Sequence, residues 1–136
     1  MKELRLKATT ENLDQVISFI DTELESAGCT MKAQMQIEIA VEELFVNIAH
    51  YAYEGDPGPA WIQVDTEETP GQVRITFVDR GMPYDPLAKE DPDVTLSADE
   101  REIGGLGIFM AKKNVDSISY IYQDGKNRLT IRKKIR

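Results

Sequence analysis

The chain predicts an α+β two-layer sandwich: a mixed, mostly antiparallel sheet with helices on one face. Three observations carry that expectation. Two long segments, about residues 10–27 and 31–53, repeat apolar residues every three or four positions, the period of a helix buried along one stripe. Four shorter segments show apolar residues or β-formers in the alternating pattern of half-buried strands, and glycine-containing turns join them in pairs. The resulting order is strand, helix, helix, strand, strand, helix, strand, strand, in which adjacent strands pair as hairpins and leave one sheet face to the helices.

Each element has its own signal. Leu4, Leu6 and Ala8 alternate with charged residues and read as a short first strand. Thr9 or Thr10 is positioned to cap a helix whose apolar stripe is Leu13, Val16, Ile17, Ile20, Leu24 and Ala27, with Gly28 as terminator. A second helix is expected from about Met31 to Tyr53, with Ile37, Val41, Leu44, Phe45 and Ile48 inward and Asp56-Pro57-Gly58-Pro59 stopping it. Ala60, Ile62 and Val64 pair through a Thr69-Pro70-Gly71 turn with Val73, Ile75 and Phe77. From Pro83 to Ile103 the periodicity dissolves into Pro, Asp, Glu and Ser, as in a lid or a disordered segment. Leu106, Phe109, Met110, Ala111 and Val115 mark a third helix, and strands Ser117 to Gln123 and Arg128 to Ile135 flank an Asp124-Gly125-Lys126-Asn127 turn. No repeat or linker divides the chain, so residues 1–136 are expected to form one domain.

Composition narrows the function classes. The formal charge is −8 and the pI about 4.7, which disfavours general nucleic-acid binding. The acidic surplus favours solubility or a partner with basic patches. The basic run Arg132-Lys133-Lys134 and Arg136 reads as the solvated face of a last strand. Cys29 is the only cysteine, so no intrachain disulfide is possible and a reducing compartment is expected. The first residues lack an apolar signal core, and no stretch has the length to span a bilayer; a cytoplasmic location, away from membrane, is the expectation.

Three short signatures carry the chemistry: Glu43-x-x-x-Asn47, Asp79-x-Gly81 and Gly104-Gly105-Leu106-Gly107. Glu43 and Asn47 lie four apart, one turn from each other on one helix face. An Asn amide oxygen is a neutral ligand for magnesium beside a triphosphate, and a carboxylate one turn away can orient and deprotonate an attacking hydroxyl or water. A polar pair at this spacing is equally what a plain solvent face shows. His50, the only histidine, is expected in a packed or capping role rather than as a metal ligand. Asp79 ends an apolar strand, where its carboxylate can accept a hydrogen bond from an exocyclic amine such as that of adenine, and Gly81 lets a flat ring approach the backbone; Asp and Gly are also ordinary turn residues. The glycines at 104, 105 and 107 sit where the loop meets the third helix, whose free amides can face phosphate oxygens. No Gly-Lys-Ser/Thr follows, so this is not a Walker loop, and no apolar strand leads in, so it is not a dinucleotide fingerprint. Arg101 is placed to reach a terminal phosphate, or to remain a solvated side chain among Asp99, Glu100 and Glu102. Together the three signatures make ATP the leading ligand and phosphoryl transfer the leading chemistry.

The three boxes Glu42-Glu43-Leu44-Phe45-Val46-Asn47-Ile48-Ala49-His50, Asp79-Arg80-Gly81-Met82-Pro83-Tyr84-Asp85-Pro86 and Arg101-Glu102-Ile103-Gly104-Gly105-Leu106-Gly107-Ile108, in this order, resemble the GHKL or Bergerat-type ATP-binding fold of histidine kinases and gyrase-type ATPases. Within that superfamily the chain is similar to the small anti-sigma-factor serine kinases. The resemblance implies Asn47 as magnesium ligand, Glu43 as general base, Asp79 with Gly81 at adenine, and Gly104, Gly105, Leu106 and Gly107 with Arg101 around the phosphates. It implies ATP and Mg2+ as cofactors. It also implies a protein, often a homodimer, that holds a sigma factor inactive and phosphorylates a serine of a STAS-domain anti-anti-sigma protein. Members often carry a Thr pair near the nucleotide where this chain has Lys126-Asn127-Arg128. Two other readings of the same residues are an ATP-gated partner-binding module without significant kinase activity, and slow ATP hydrolysis coupled to lid motion.

Overall fold

A strand that alternates buried and half-exposed residues needs a partner and a covered face, and the chain supplies both around one hairpin. The structure, a computed structural model, describes residues 1–88 and 105–136. Strands β2 (Pro59–Asp65) and β3 (Gln72–Asp79) pair antiparallel and bury Ala60, Ile62, Val64, Val73, Ile75 and Phe77 on one side. Gly71, at φ 79°, makes the turn between them. The Asp65 carboxylate accepts the Glu67 and Glu68 amides at 2.9 and 3.0 Å, and those bonds hold its pKa below the ordinary value.

Strand β1 (Lys2–Lys7) extends the sheet beyond β2, while β5 (Lys126–Lys134) and β4 (Ser117–Gln123) extend it beyond β3, in the order β1-β2-β3-β5-β4. The sheet is antiparallel throughout, in keeping with the mostly antiparallel sheet expected from the sequence. Register places Leu4, Ile62, Phe77, Leu129 and Tyr120 in one cross-strand row. The next row is Leu6, Ala60, Asp79, Asn127 and Tyr122, so two polar residues enter the inner face at one end of the sheet.

Helices α1 (Leu13–Ser26), α2 (Met31–Tyr51) and α3 (Gly105–Lys113) cover that inner face. Val16, Ile20 and Leu24 of α1, and Ile37, Val41, Leu44, Phe45 and Ile48 of α2, join the sheet residues in one core. The periodic stripe of the sequence is the buried stripe of the fold. At the end of α1 the Cys29 amide bonds to the Leu24 carbonyl at 3.0 Å while Gly28 adopts φ 77°, the left-handed closure that glycine allows.

Three local details depart from the sequence reading. A 3-10 turn over Thr10–Asn12 precedes α1, so neither threonine caps it; Asn12 instead donates its side-chain amide to the Lys7 carbonyl at 2.9 Å. Thr30, absent from that reading, caps α2 by accepting the Ala33 amide at 3.2 Å. Helix α2 stops at Tyr51, and Tyr53 leaves it to bridge the chain, its hydroxyl donating to the Pro59 carbonyl and accepting the Arg80 amide at 2.8 Å. A fourth difference bears on the site: the last turn is only Asp124-Gly125, both at positive φ (55° and 76°), so Asn127 belongs to β5. Among the described residues no helix is long and apolar enough to cross a membrane.

Candidate functional site

The polar end of the inner face opens into a cleft between the C-terminal half of α2, the end of β3 and the β4–β5 hairpin. Asn47 and Asp79 both line it. Ile48, Ala52, Met82 and Leu129 give it apolar walls, and Tyr84 and Tyr120 stand at its margin. The mix of apolar wall with few polar groups suits a small planar ligand.

Asp79 is 4% exposed, and its carboxylate is fixed on one side only. Its Oδ1 accepts the Gly81 amide at 2.8 Å and the Asn127 Nδ2 at 2.9 Å. Among the described residues no hydrogen bond reaches Oδ2, so that atom remains an acceptor for a donor group in the cleft. Burial raises the Asp79 pKa, and the two Oδ1 bonds oppose the rise by favouring the charged form.

Asn127 organises this corner. Its Nδ2 also donates to the Met82 carbonyl at 3.0 Å and the Gly81 carbonyl at 3.3 Å. Its Oδ1 accepts the Tyr120 hydroxyl at 2.5 Å and the Tyr84 amide at 3.2 Å. These partners fix which end of the amide is which, and they tie the strand-end turn after β3 to the β4–β5 hairpin. Sequence reasoning missed this residue by leaving it in a turn. The Asp-Gly hairpin signal, read as a two-residue loop, puts Asn127, Leu129 and Ile131 on one inward face.

Gly81 is buried against α2: a Cβ there would lie 2.1 Å from the Ala52 carbonyl oxygen, which accepts the Met82 amide at 3.2 Å. Close approach does explain the glycine, and the approaching group visible in the structure is the helix end. Glu43 lies one turn before Asn47, outside the residues that line the cleft. Its Oε2 comes within 2.9 Å of where a Cβ on Gly107 would stand, so the carboxylate packs on the first turn of α3. Burial, then repulsion from Glu42, raises its pKa. That direction suits a group that accepts a proton near neutral pH. Gly105 and Leu106 begin α3, while Arg101 and Gly104 lie outside the described residues. His50 is exposed at the end of α2, where its ring meets Tyr51 edge-on at 6.0 Å rather than packing inward.

Among the described residues no three His, Cys, Asp or Glu side chains gather into a metal site. A single amide oxygen at Asn47 fits an ion held chiefly by phosphates and water, as magnesium commonly is. The arrangement can therefore read an amine in an apolar slot, with a neutral oxygen ligand and a carboxylate with a raised pKa along the adjoining helix.

The serine/threonine-protein kinase BtrW of Bordetella bronchiseptica is 29% identical over 101 residues, spanning 74% of this chain and 70% of that protein. The serine-protein kinase RsbW of Listeria monocytogenes is 28% identical over 104 residues, 73% of this chain and 65% of its own length. In three dimensions the chain resembles the RsbU and RsbW domains of Rv1364c from Mycobacterium tuberculosis, with a TM-score of 0.64, 17% identity, and coverage of 99% of this chain and 33% of that one. The five-stranded antiparallel sheet and three helices are that fold. The histidine kinase-like ATPase domain family matches residues 6–133, nearly the whole sequence, and the chain belongs to it.

Proposed function

We propose that the chain is an ATP-binding anti-sigma regulatory factor with protein serine kinase activity. Its substrate is a serine of a STAS-type anti-anti-sigma partner. The observation that carries the reading is Asp79, buried in an apolar cleft with Oδ1 occupied and Oδ2 open, which matches the 6-amino group of adenine. The names of the relatives, both serine kinases, supply the reaction class.

In this reading the adenine enters between Ile48, Ala52, Met82 and Leu129, and its amine donates to Asp79 Oδ2. Asn47 offers its amide oxygen to magnesium, which when bound neutralises phosphate charge. The serine hydroxyl of the partner attacks the γ-phosphorus, the bond from that phosphorus to the β,γ-bridging oxygen breaks, and ADP leaves. Glu43 takes the hydroxyl proton, a role its raised pKa favours. Gly105, Leu106 and Gly107 at the start of α3 face the phosphates. Arg101 and Gly104 enter the reading from the sequence alone. Residues 1–136 serve as one ATP-binding domain of a cytoplasmic regulator, and a homodimer is compatible with the reading.

The test is transfer of label from γ-labelled ATP, with magnesium, the purified chain and a clarified host lysate. One small protein labelled on serine, and lost when Glu43→Ala replaces the native chain, is the expected result. ATP binding without any labelled protein would overturn the kinase assignment and leave an ATP-gated binding module; phosphate release alone would make it a hydrolase.

A further inference from the structure

The sheet face opposite the helices carries a feature that the nucleotide reading does not use. One cross-strand row on that face runs Arg5, Trp61, Val78, Arg128, Ile121. Three cations converge on the indole of Trp61: the charged groups of Arg80, Lys126 and Arg5 lie 5.0, 5.2 and 5.4 Å from the ring centroid. Arg128, the next cation in the row, is held only by a 3.5 Å bond to the Gln63 side chain. Among the described residues the ion pairs belong to Arg74, farther along the sheet, and none of these four cations has a carboxylate partner. The carboxylate of Glu3, on the neighbouring row, is turned to the Gln63 amide at 2.8 Å.

We propose that this open face, centred on Trp61, is a docking surface for a short acidic polypeptide segment of a partner protein. Four cations gathered on one face, with no carboxylate partner among the described residues, repel one another. Contact with the indole stabilises three of them, by about 0.5–1 kcal/mol each at an exposed site, and leaves their charge uncompensated. A bound carboxylate-rich segment would remove the repulsion. The gathering occurs on a chain with 24 acidic and 16 basic residues, so it is a local reversal of the overall sign and not its continuation. Beside the cations, Ile121 on the edge strand is 53% exposed and offers an apolar contact to the same ligand.

The size and sign of the patch choose the occupant. Five strands span about 20 Å, the reach of about six extended residues. The overall charge of −8 disfavours a nucleic acid, whose phosphates the chain as a whole repels. A second copy related by a two-fold axis would set these cations against themselves. Because Asp79, Asn127 and Leu129 point to the other face, the surface can be filled while the cleft holds a ligand.

Trp61 is the only tryptophan, so its fluorescence reports the surface directly. The full chain is titrated with capped hexaglutamate at about 50 mM salt. A saturable change in emission is expected, with association weakened at least about tenfold in an Arg5→Glu/Lys126→Glu double variant. Lys32→Glu, at the exposed start of α2, should change it less than about twofold. Unaltered circular dichroism of both variants certifies the fold. No saturable change, or an equal loss in Lys32→Glu, overturns the proposal. Tighter binding of hexathymidylate than of hexaglutamate would also overturn it in favour of nucleic acid. Concentration-dependent dimerisation abolished by the double variant would overturn it in favour of a second copy.

Discussion

Truncating Asn127 to alanine tests the corner on which the nucleotide reading depends. The substitution deletes the donor to Asp79 Oδ1 and to the Gly81 and Met82 carbonyls, and the acceptor of the Tyr120 hydroxyl and Tyr84 amide. A hydrogen bond to a charged group contributes about 1.5–3 kcal/mol and a neutral one about 1 kcal/mol. Nδ2 has two hydrogens for three acceptors, and the Tyr84 amide and Tyr120 hydroxyl, at the cleft margin, recover water. The net cost is therefore about 3 kcal/mol at pH 7. With a urea dependence of about 1.5 kcal/mol per molar, the unfolding midpoint falls by about 2 M.

The loss should depend on pH with a definite sign. Burial already raises the Asp79 pKa in the folded state, and Asn127 is the leading group that lowers it. Without Asn127 the folded pKa rises further. A raised folded pKa gives stability that is full below the unfolded value and is lost as pH rises through the folded value. The variant is thus penalised most where wild-type Asp79 is ionised, and the gap narrows as pH falls and the carboxyl protonates in both proteins. Urea unfolding at pH 7 and near pH 4 measures this. A loss below about 1 kcal/mol at pH 7, or one of equal size at both pH values, would refute the reasoning.

Other substitutions separate fold from chemistry. Asp79→Asn keeps an Oδ1 acceptor for Gly81 and Asn127 but removes the buried charge, so stability at pH 7 should hold or rise by up to about 1 kcal/mol; calorimetry should show ATP affinity down at least about tenfold, since an NH2 would face the adenine amine. Gly81→Ala drives a Cβ to 2.1 Å from a backbone carbonyl, and thermal unfolding should show a loss of about 3 kcal/mol. Among the described residues a Cβ at Gly107 meets the end of the Glu43 side chain at 2.9 Å, so in Gly107→Ala the helix should gain up to about 1 kcal/mol in propensity by urea unfolding while the displaced carboxylate lowers the rate of labelled-phosphate transfer.

The sequence carried the layers well because burial in this fold follows strict periods. Val16, Ile20 and Leu24 on α1, and Ala60, Ile62 and Val64 on β2, are buried where spacing puts them. What it carried poorly depends on groups distant in sequence. Gly81 answers to Ala52, and Asn127 to residues 79–84, pairings that exist only once the sheet has assembled. Tyr53 looks like the tail of a helical stripe, yet its hydroxyl bridges the Pro59 carbonyl and the Arg80 amide. The Thr9 and Thr10 caps failed because a 3-10 turn moved the helix start to Leu13. Of the site residues named from sequence, Asn47 and Asp79 meet in the cleft, Gly81 supports it from beneath, and Glu43 pairs with Gly107 beside it.

The central claim is that Asp79 reads the amine of adenine in this cleft. Calorimetric titration of the full chain with ATP and with inosine triphosphate, which differs at that amine, tests it most directly. The account predicts ATP to bind at least about tenfold tighter, with the preference abolished in Asp79→Ala. Equal affinities for the two nucleotides in the native chain would contradict it.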